Sequence, residues 1–140
     1  MSGAHWEHFA HEADVGVRGI GPTREAAFEQ GALALMHAIG DPTRVEVREV
    51  LDIVCEAPDD ALLFVDWLNA LVFEVATRGM LFARFQVRIQ GQRLVGRAWG
   101  EPIDPARQEV AVEVKGATYT DLKVARRPGG GWLAQCVVDV

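Results

Sequence analysis

The residues able to do chemistry lie mostly near the two ends of this 140-residue chain. Asp139 is embedded in the apolar closing run "CVVDV", one residue before the terminal carboxylate of Val140, where a frayed tail would be the default. Near the other end, Asp14 precedes the run "VGVRGI"; Asp is a poor strand former, so its ordinary role is a turn or strand-end residue. If the first and last strands pair or lie adjacent, Asp14, Asp139 and the Val140 carboxylate share one end of a sheet. Three negative groups so placed repel one another unless a cation neutralises them, and a hard divalent ion with oxygen ligands is the natural solution. The plainer alternative is a solvated set of strand-end acids. Lys115, closing "EVAVEVK", either stands exposed at a strand end or reaches the acidic cluster.

Other chemistry finds less support. In "HWEHFAHEAD", His5, His8, His11 and Asp14 recur every third residue, a pattern that suggests a metal cluster. Positions three apart point to opposite faces of an extended segment, so these side chains converge only in a helix or a sharp bend, and exposed or turn-forming histidines are expected. There is no G-x-S-x-G elbow, no P-loop and no H-E-x-x-H. Gly129-Gly130-Gly131 lacks the strand-then-helix setting of a phosphate cradle. A metal-dependent hydrolase built on Asp14 and Asp139 lacks an evident base. Cys55 and Cys136 each stand alone in an apolar run, which predicts thiols buried in strands rather than a zinc or redox pair.

The elements that would position these groups follow from periodicity. Val15 and Val17 share a face of a strand over residues 14–20, stopped by Gly21-Pro22. Thr23 caps a helix with Glu25 in its first turn and Phe28, Ala32, Leu35, Met36 and Ile39 at helical spacing, ended by Gly40. "VEVREVLDIVC" alternates as one long or bent strand, with Val50 and Val54 as apolar intruders on its polar face. Pro58-Asp59-Asp60 caps a second helix, apolar around most of its circumference and ended by Gly79. A hairpin over residues 81–99 turns at Gly91, and residues 101–105 form a loop. Val110, Val112 and Val114 mark a further strand, and "LKVA", "RRPGGG" and "WLAQCVVDV" a second hairpin. The final connections are too short for parallel crossovers, so the expected fold is α+β, two helices packed on a mostly antiparallel sheet in two layers, with one domain spanning residues 1–140.

Composition agrees with such a fold. Apolar residues make up 49% and charged residues 24%, near the globular average and far from disordered or fibrous classes. A net charge of −6 argues against high-affinity nucleic-acid binding and favours cations, or a basic protein groove that itself holds nucleic acid. No signal-like start and no long apolar run are seen, so a cytoplasmic protein is expected.

Taken in order, "HEADVGVRG", "DWLNALVFEVATRGMLFARFQV", "GEPID", "VEVKGATYTDLKV" and "VVDV" resemble the archease family over nearly the whole chain. The resemblance implies a two-layer α+β fold and a non-catalytic activator of RtcB-type RNA ligases. Such activators promote formation of the ligase-guanylate from GTP, and hence multiple turnover, in tRNA splicing and RNA repair. It also implies that Asp14 and Asp139 match metal-binding aspartates, with the carboxylate of Val140 as a further ligand for calcium or else magnesium or manganese. The chain end is then expected to be docked, and Lys115 matches a further residue required for activity. Thr120 and Gln108 depart from positions where the family often has His, so neither receives a role. Gly116 stands where Ala is more usual. A general chaperone or stabilising partner, suggested by the apolar second helix, is the alternative reading.

Overall fold

In the computed structural model, which describes residues 3–106, 110 and 112–140, strands and helices alternate at first and strands alone follow. The elements are β1 (His5–His11), β2 (Asp14–Gly21), α1 (Arg24–Ile39), β3 (Glu49–Glu56), α2 (Asp60–Arg78), β4 (Met80–Gln90), β5 (Arg93–Pro102), β6 (Gly116–Ala117), β7 (Lys123–Arg126) and β8 (Trp132–Asp139). All strand pairs are antiparallel, and the class is α+β as the periodicity predicts. The expected mostly antiparallel sheet is present as two sheets. One has the order β1-β2-β8-β6 with β7 also on β8; the other has the order β3-β5-β4.

The helices begin and end where their caps require. The Thr23 side chain accepts from the Ala26 N–H and that of Asp59 from the Leu62 N–H, each satisfying an amide that has no intrahelical partner. Gly79 closes α2 in the left-handed region at φ 63°, returning its N–H to the Val75 carbonyl. Both helices bridge the two sheets: α1 packs on β1, β2 and β8 and also on β4, while α2 packs on β3, β4 and β5 and also on β6, β7 and β8. Where they meet, Trp67 Nε1 donates to the Phe28 carbonyl at 3.2 Å and Phe28 meets Phe64 edge to face. Trp67, Phe28, Phe64 and Phe82 are the largest side chains of one buried cluster fed by both sheets.

Several sequence expectations change in detail. The "HWEHFAH" stretch is not a turn but the edge strand β1, joined to β2 by a two-residue turn with Glu12 at φ 53°. The alternating run at residues 45–56 enters the sheet only at Glu49, because Pro42–Arg44 forms a 3₁₀ turn and the buried Glu101 carboxylate takes the Glu46 N–H at 2.7 Å. Glu101 and Pro102 belong to β5 rather than to a loop. The strand expected at residues 109–115 is not formed among its described residues, although Val114 is buried; Val112 N–H turns to the Ile39 carbonyl and Lys115 N–H to that of Asp139. Residues 109 and 111 of that expectation, like Gln108, lie outside the described residues. Cys136 is buried and Cys55 half-buried, and burial pushes their thiols up to about 12 and about 11. No helix among the described residues is long and apolar enough to cross a membrane.

Close approach of α1 to β2 depends on a missing side chain. A Cβ added at Gly19 would stand 2.0 Å from the Ala27 carbonyl oxygen and 2.3 Å from the Gly31 nitrogen, both helix backbone atoms that cannot rotate away. Gly19→Ala is therefore expected to destabilise the fold by about 2 kcal/mol or more in urea unfolding, as overpacking does. A variant within about 0.5 kcal/mol of wild type would show that α1 can move outward at little cost.

Candidate functional site

The site is a row of residues at one end of the larger sheet. Val15 pairs with Val138, Val17 with Cys136 and Gly19 with Ala134, and these positions face the helices. The intervening residues lie on the opposite face of the sheet, Gly16 beside Val137, both buried, and Arg18 beside Gln135. Carried one step further, the same register sets Asp14 beside Asp139. On the far side Asp139 pairs with Gly116 of β6, and in β1 His11 pairs with Asp14. His11, Asp14, Asp139 and Gly116 thus lie side by side on four neighbouring strands. Side chains directly opposite in antiparallel strands have Cβ atoms about 5 Å apart.

Backbone hydrogen bonds tie this end together. Val140 N–H donates to Asp14 Oδ1 at 3.2 Å, which docks the residue after β8 on the start of β2. Lys115 N–H donates to the Asp139 carbonyl at 2.8 Å, so Lys115 is held beside the same end of β8 with its side chain exposed. Asn69 of α2 supports this neighbour by accepting from the Ala117 N–H at 2.8 Å. A Cβ at Gly116 would lie 3.2 Å from Asn69 Oδ1, so an alanine there needs that side chain to shift by a few tenths of an ångström. Thr120 is exposed; its carbonyl accepts from Val137 N–H, and its own N–H donates to Thr118 Oγ1.

The three residues expected to act together, Asp14, Lys115 and Asp139, are therefore brought to one sheet end, with Val140 among them. Asp139 is exposed and Asp14 partly so. Neither carboxylate forms a salt bridge among the described residues. Two unneutralised carboxylates in one row form a hard oxygen donor pair suited to a divalent cation. No three His, Cys, Asp or Glu side chains converge among the described residues as a metal site. The aspartates fit such an ion only when further oxygens join them, from the carboxylate of Val140, from water or from a partner.

The histidines separate as strand alternation requires. His8 lies on the helix side, its Nε2 2.7 Å from the Ala34 carbonyl, while His5 faces outward and pairs with Glu7. The hydrogen bond from the Arg18 guanidinium, and after it the His5 contact, hold the Glu7 carboxyl below its ordinary range. His11 alone reaches the acidic row, and its Nδ1 is buried without a hydrogen-bond partner. Treating the three histidines as one candidate cluster hides this; the alternation of the strand singles His11 out. Asn69 was likewise missed, since its spacing on α2 marks only a helix face.

Comparison with known proteins agrees with the fold. Residues 6–140 match the Archease protein family. "Protein archease" from Pyrococcus furiosus is 40% identical and that from Pyrococcus abyssi 39% identical, each over 96% of this chain and 98% of theirs. The solution structure of Methanobacterium thermoautotrophicum protein 1598 superposes with a TM-score of 0.84 at 30% identity, covering 96% of this chain and 98% of its own.

Facing like charges with no cation between them weaken a sheet end. In chelator, Asp139→Asn is expected to raise stability by about 0.5 kcal/mol, the scale of one cross-strand pair. Added calcium should then raise the melting temperature of wild type and not of the variant. Identical melting and identical calcium shifts for the two proteins would contradict a shared, charge-strained pair.

Proposed function

The chain belongs to the archease family, and from that premise we propose that it is a non-catalytic activator of an RtcB-type RNA ligase. In this reading it promotes formation of the ligase-guanylate from GTP, so that the ligase turns over repeatedly in tRNA splicing and RNA repair. The observation that supports the reading is the pairing of Asp14 and Asp139 on an exposed sheet end whose backbone is fixed from both sides. An acidic end of this kind complements a basic, phosphate-binding cleft, and such complementarity steers association and fixes register.

A divalent cation, calcium or else magnesium or manganese, would be held by Asp14, Asp139 and the carboxylate of Val140, and when bound it would supply positive charge for phosphate oxygens. The chain's own contribution is positional. Asp14 accepts the Val140 N–H and thereby holds the two strand ends in one place, while β6 brings Lys115, a cation of this chain, beside them. Asp139 is the exposed member of the pair and the one a partner meets first. Nothing in this arrangement calls for a nucleophile or general base of its own.

Multiple-turnover guanylylation and ligation by the cognate ligase, with GTP and a divalent metal, test the proposal. Wild type is expected to stimulate both, while Asp139→Ala and Lys115→Ala lose most of the stimulation although circular dichroism shows both variants folded. Stimulation that survives in both variants would separate the acidic end from the activity. No stimulation by wild type would favour a general stabilising partner, for which Phe73, 62% exposed on the outer face of α2, would be the apolar contact.

A further inference from the structure

The three-stranded sheet β3-β5-β4 has one face against α2, where Gly96 abuts Trp67, and an open face that carries a different chemistry from the rest of the chain. Alternation places Arg84, Gln86, Arg88 and Gln90 of β4 outward and exposed, about 6.8 Å apart along the strand. The register sets Gln86 beside Arg97, Arg88 beside Val95 and Gln90 beside Arg93 of β5. Four guanidiniums therefore share one face of a chain whose net charge is −6. Among the described residues the carboxylates against them are Asp52, 3.0 Å from Arg97, and Glu56, 3.9 Å from Arg93, both on the edge strand β3, and, beyond Trp99, the buried Glu101, which together with Glu46 is engaged by Arg48. The Asp52 and Glu56 pairs are exposed, and such pairs are worth little and exchange readily for a better anion. Arg88, at the centre, has no carboxylate partner among the described residues.

The shape of the face suits an extended polyanion. Two shallow depressions of about 200 and 280 Å³ lie in line on either side of Arg88. Val95 lines both; the first also has Gln86 and Arg97, the second Gln90 and Arg93. At the end of the row Arg84 stacks over Trp99 at 5.0 Å, a flat cationic platform of the kind on which bases stack. Outward β4 offers donors and no carboxylate, so no side chain of that strand repels a phosphate. Glutamine amides add acceptors as well as donors, which a ribose 2′-hydroxyl can use. We infer that the open face of β3-β5-β4 binds single-stranded RNA, phosphates along the arginines and bases over the Val95 depressions and Trp99. The patch stands on its own geometry; the choice of RNA over other polyanions rests also on the RNA-ligase reading. The net acidity of the whole chain, which argues against nucleic-acid binding, averages this local arrangement away.

Fluorescence anisotropy of the full chain, without ligase, against a labelled oligouridylate and an oligothymidylate of equal length tests the inference. The expected result is saturable RNA binding at low salt, with log affinity falling by about 2 per decade of salt for three phosphates contacted. Arg88→Glu with Arg97→Glu should weaken it about ten-fold or more, since two phosphate contacts become repulsions. The control Arg126→Glu with Arg127→Glu, on the other sheet, should leave it unchanged, and circular dichroism should show both double variants folded. No binding at low salt, equal loss in the control, tighter binding of the DNA, or capture of a polyglutamate peptide in place of RNA would overturn the inference. Ligase stimulation measured on the same Arg88/Arg97 variant reads the activator role separately, since the acidic sheet end is intact in it.

Discussion

Everything at the acidic end depends on the register between β2 and β8. Side chains alternate with a period of two, so a slip of one residue would carry Asp139 to the helix side and expose Val138 and Cys136 in its place. The register is held by burial of Val17, Ala134, Cys136 and Val138, and by the bare backbone of Gly19, on which α1 lies directly. Outward, Arg18 adds a second lock by donating to Gln135 at 2.8 Å and to Glu7 at 2.9 Å across three strands. An apolar core on one face thus decides which polar groups meet on the other.

From that register the rest of the site follows. Because β8 has neighbours on both sides, its final residues are gripped by β2 through the Asp14–Val140 hydrogen bond and by the β6 side through Lys115 and Gly116. The short β6 is itself steadied by Asn69 from α2, so the two helices contribute differently. α1 sets the depth of β2, and α2 sets the position of the segment carrying Lys115. The exposed Asp139 and the part-exposed Asp14 can be kept side by side because β2 and β8 are paired along their length beneath them. The second sheet bears a charge of the opposite sign, as exposed arginines of which Arg97 and Arg93 meet carboxylates of the edge strand β3.

Much of this was legible in the sequence where local physics decides. Thr23, Asp59 and Gly79 announce the helix ends, and parity correctly places Val50 and Val54 on the exposed face of β3. The supposition that the chain ends lie together was enough to bring Asp14 and Asp139 to one sheet end. Pairing partners were less legible, since alternation gives a strand its faces but not its neighbours; hence the division into two sheets was not foreseen. β1 was obscured because polar residues fall on both of its faces, with His8 and Glu7 a single residue apart. The valines at 110, 112 and 114 mimic a strand, yet the amides of Val112 and Lys115 go to Ile39 and Asp139 rather than into a continuous ladder.

The central claim is that Asp14 and Asp139 act as one site because the register makes them neighbours. A double-mutant cycle with Asp14→Asn and Asp139→Asn, read as stimulation of guanylylation by the cognate ligase, tests it most directly. The account predicts that each single variant loses nearly as much as the double, because either removal dismantles the pair. Losses that multiply independently, or a single variant that stimulates as well as wild type, would contradict it.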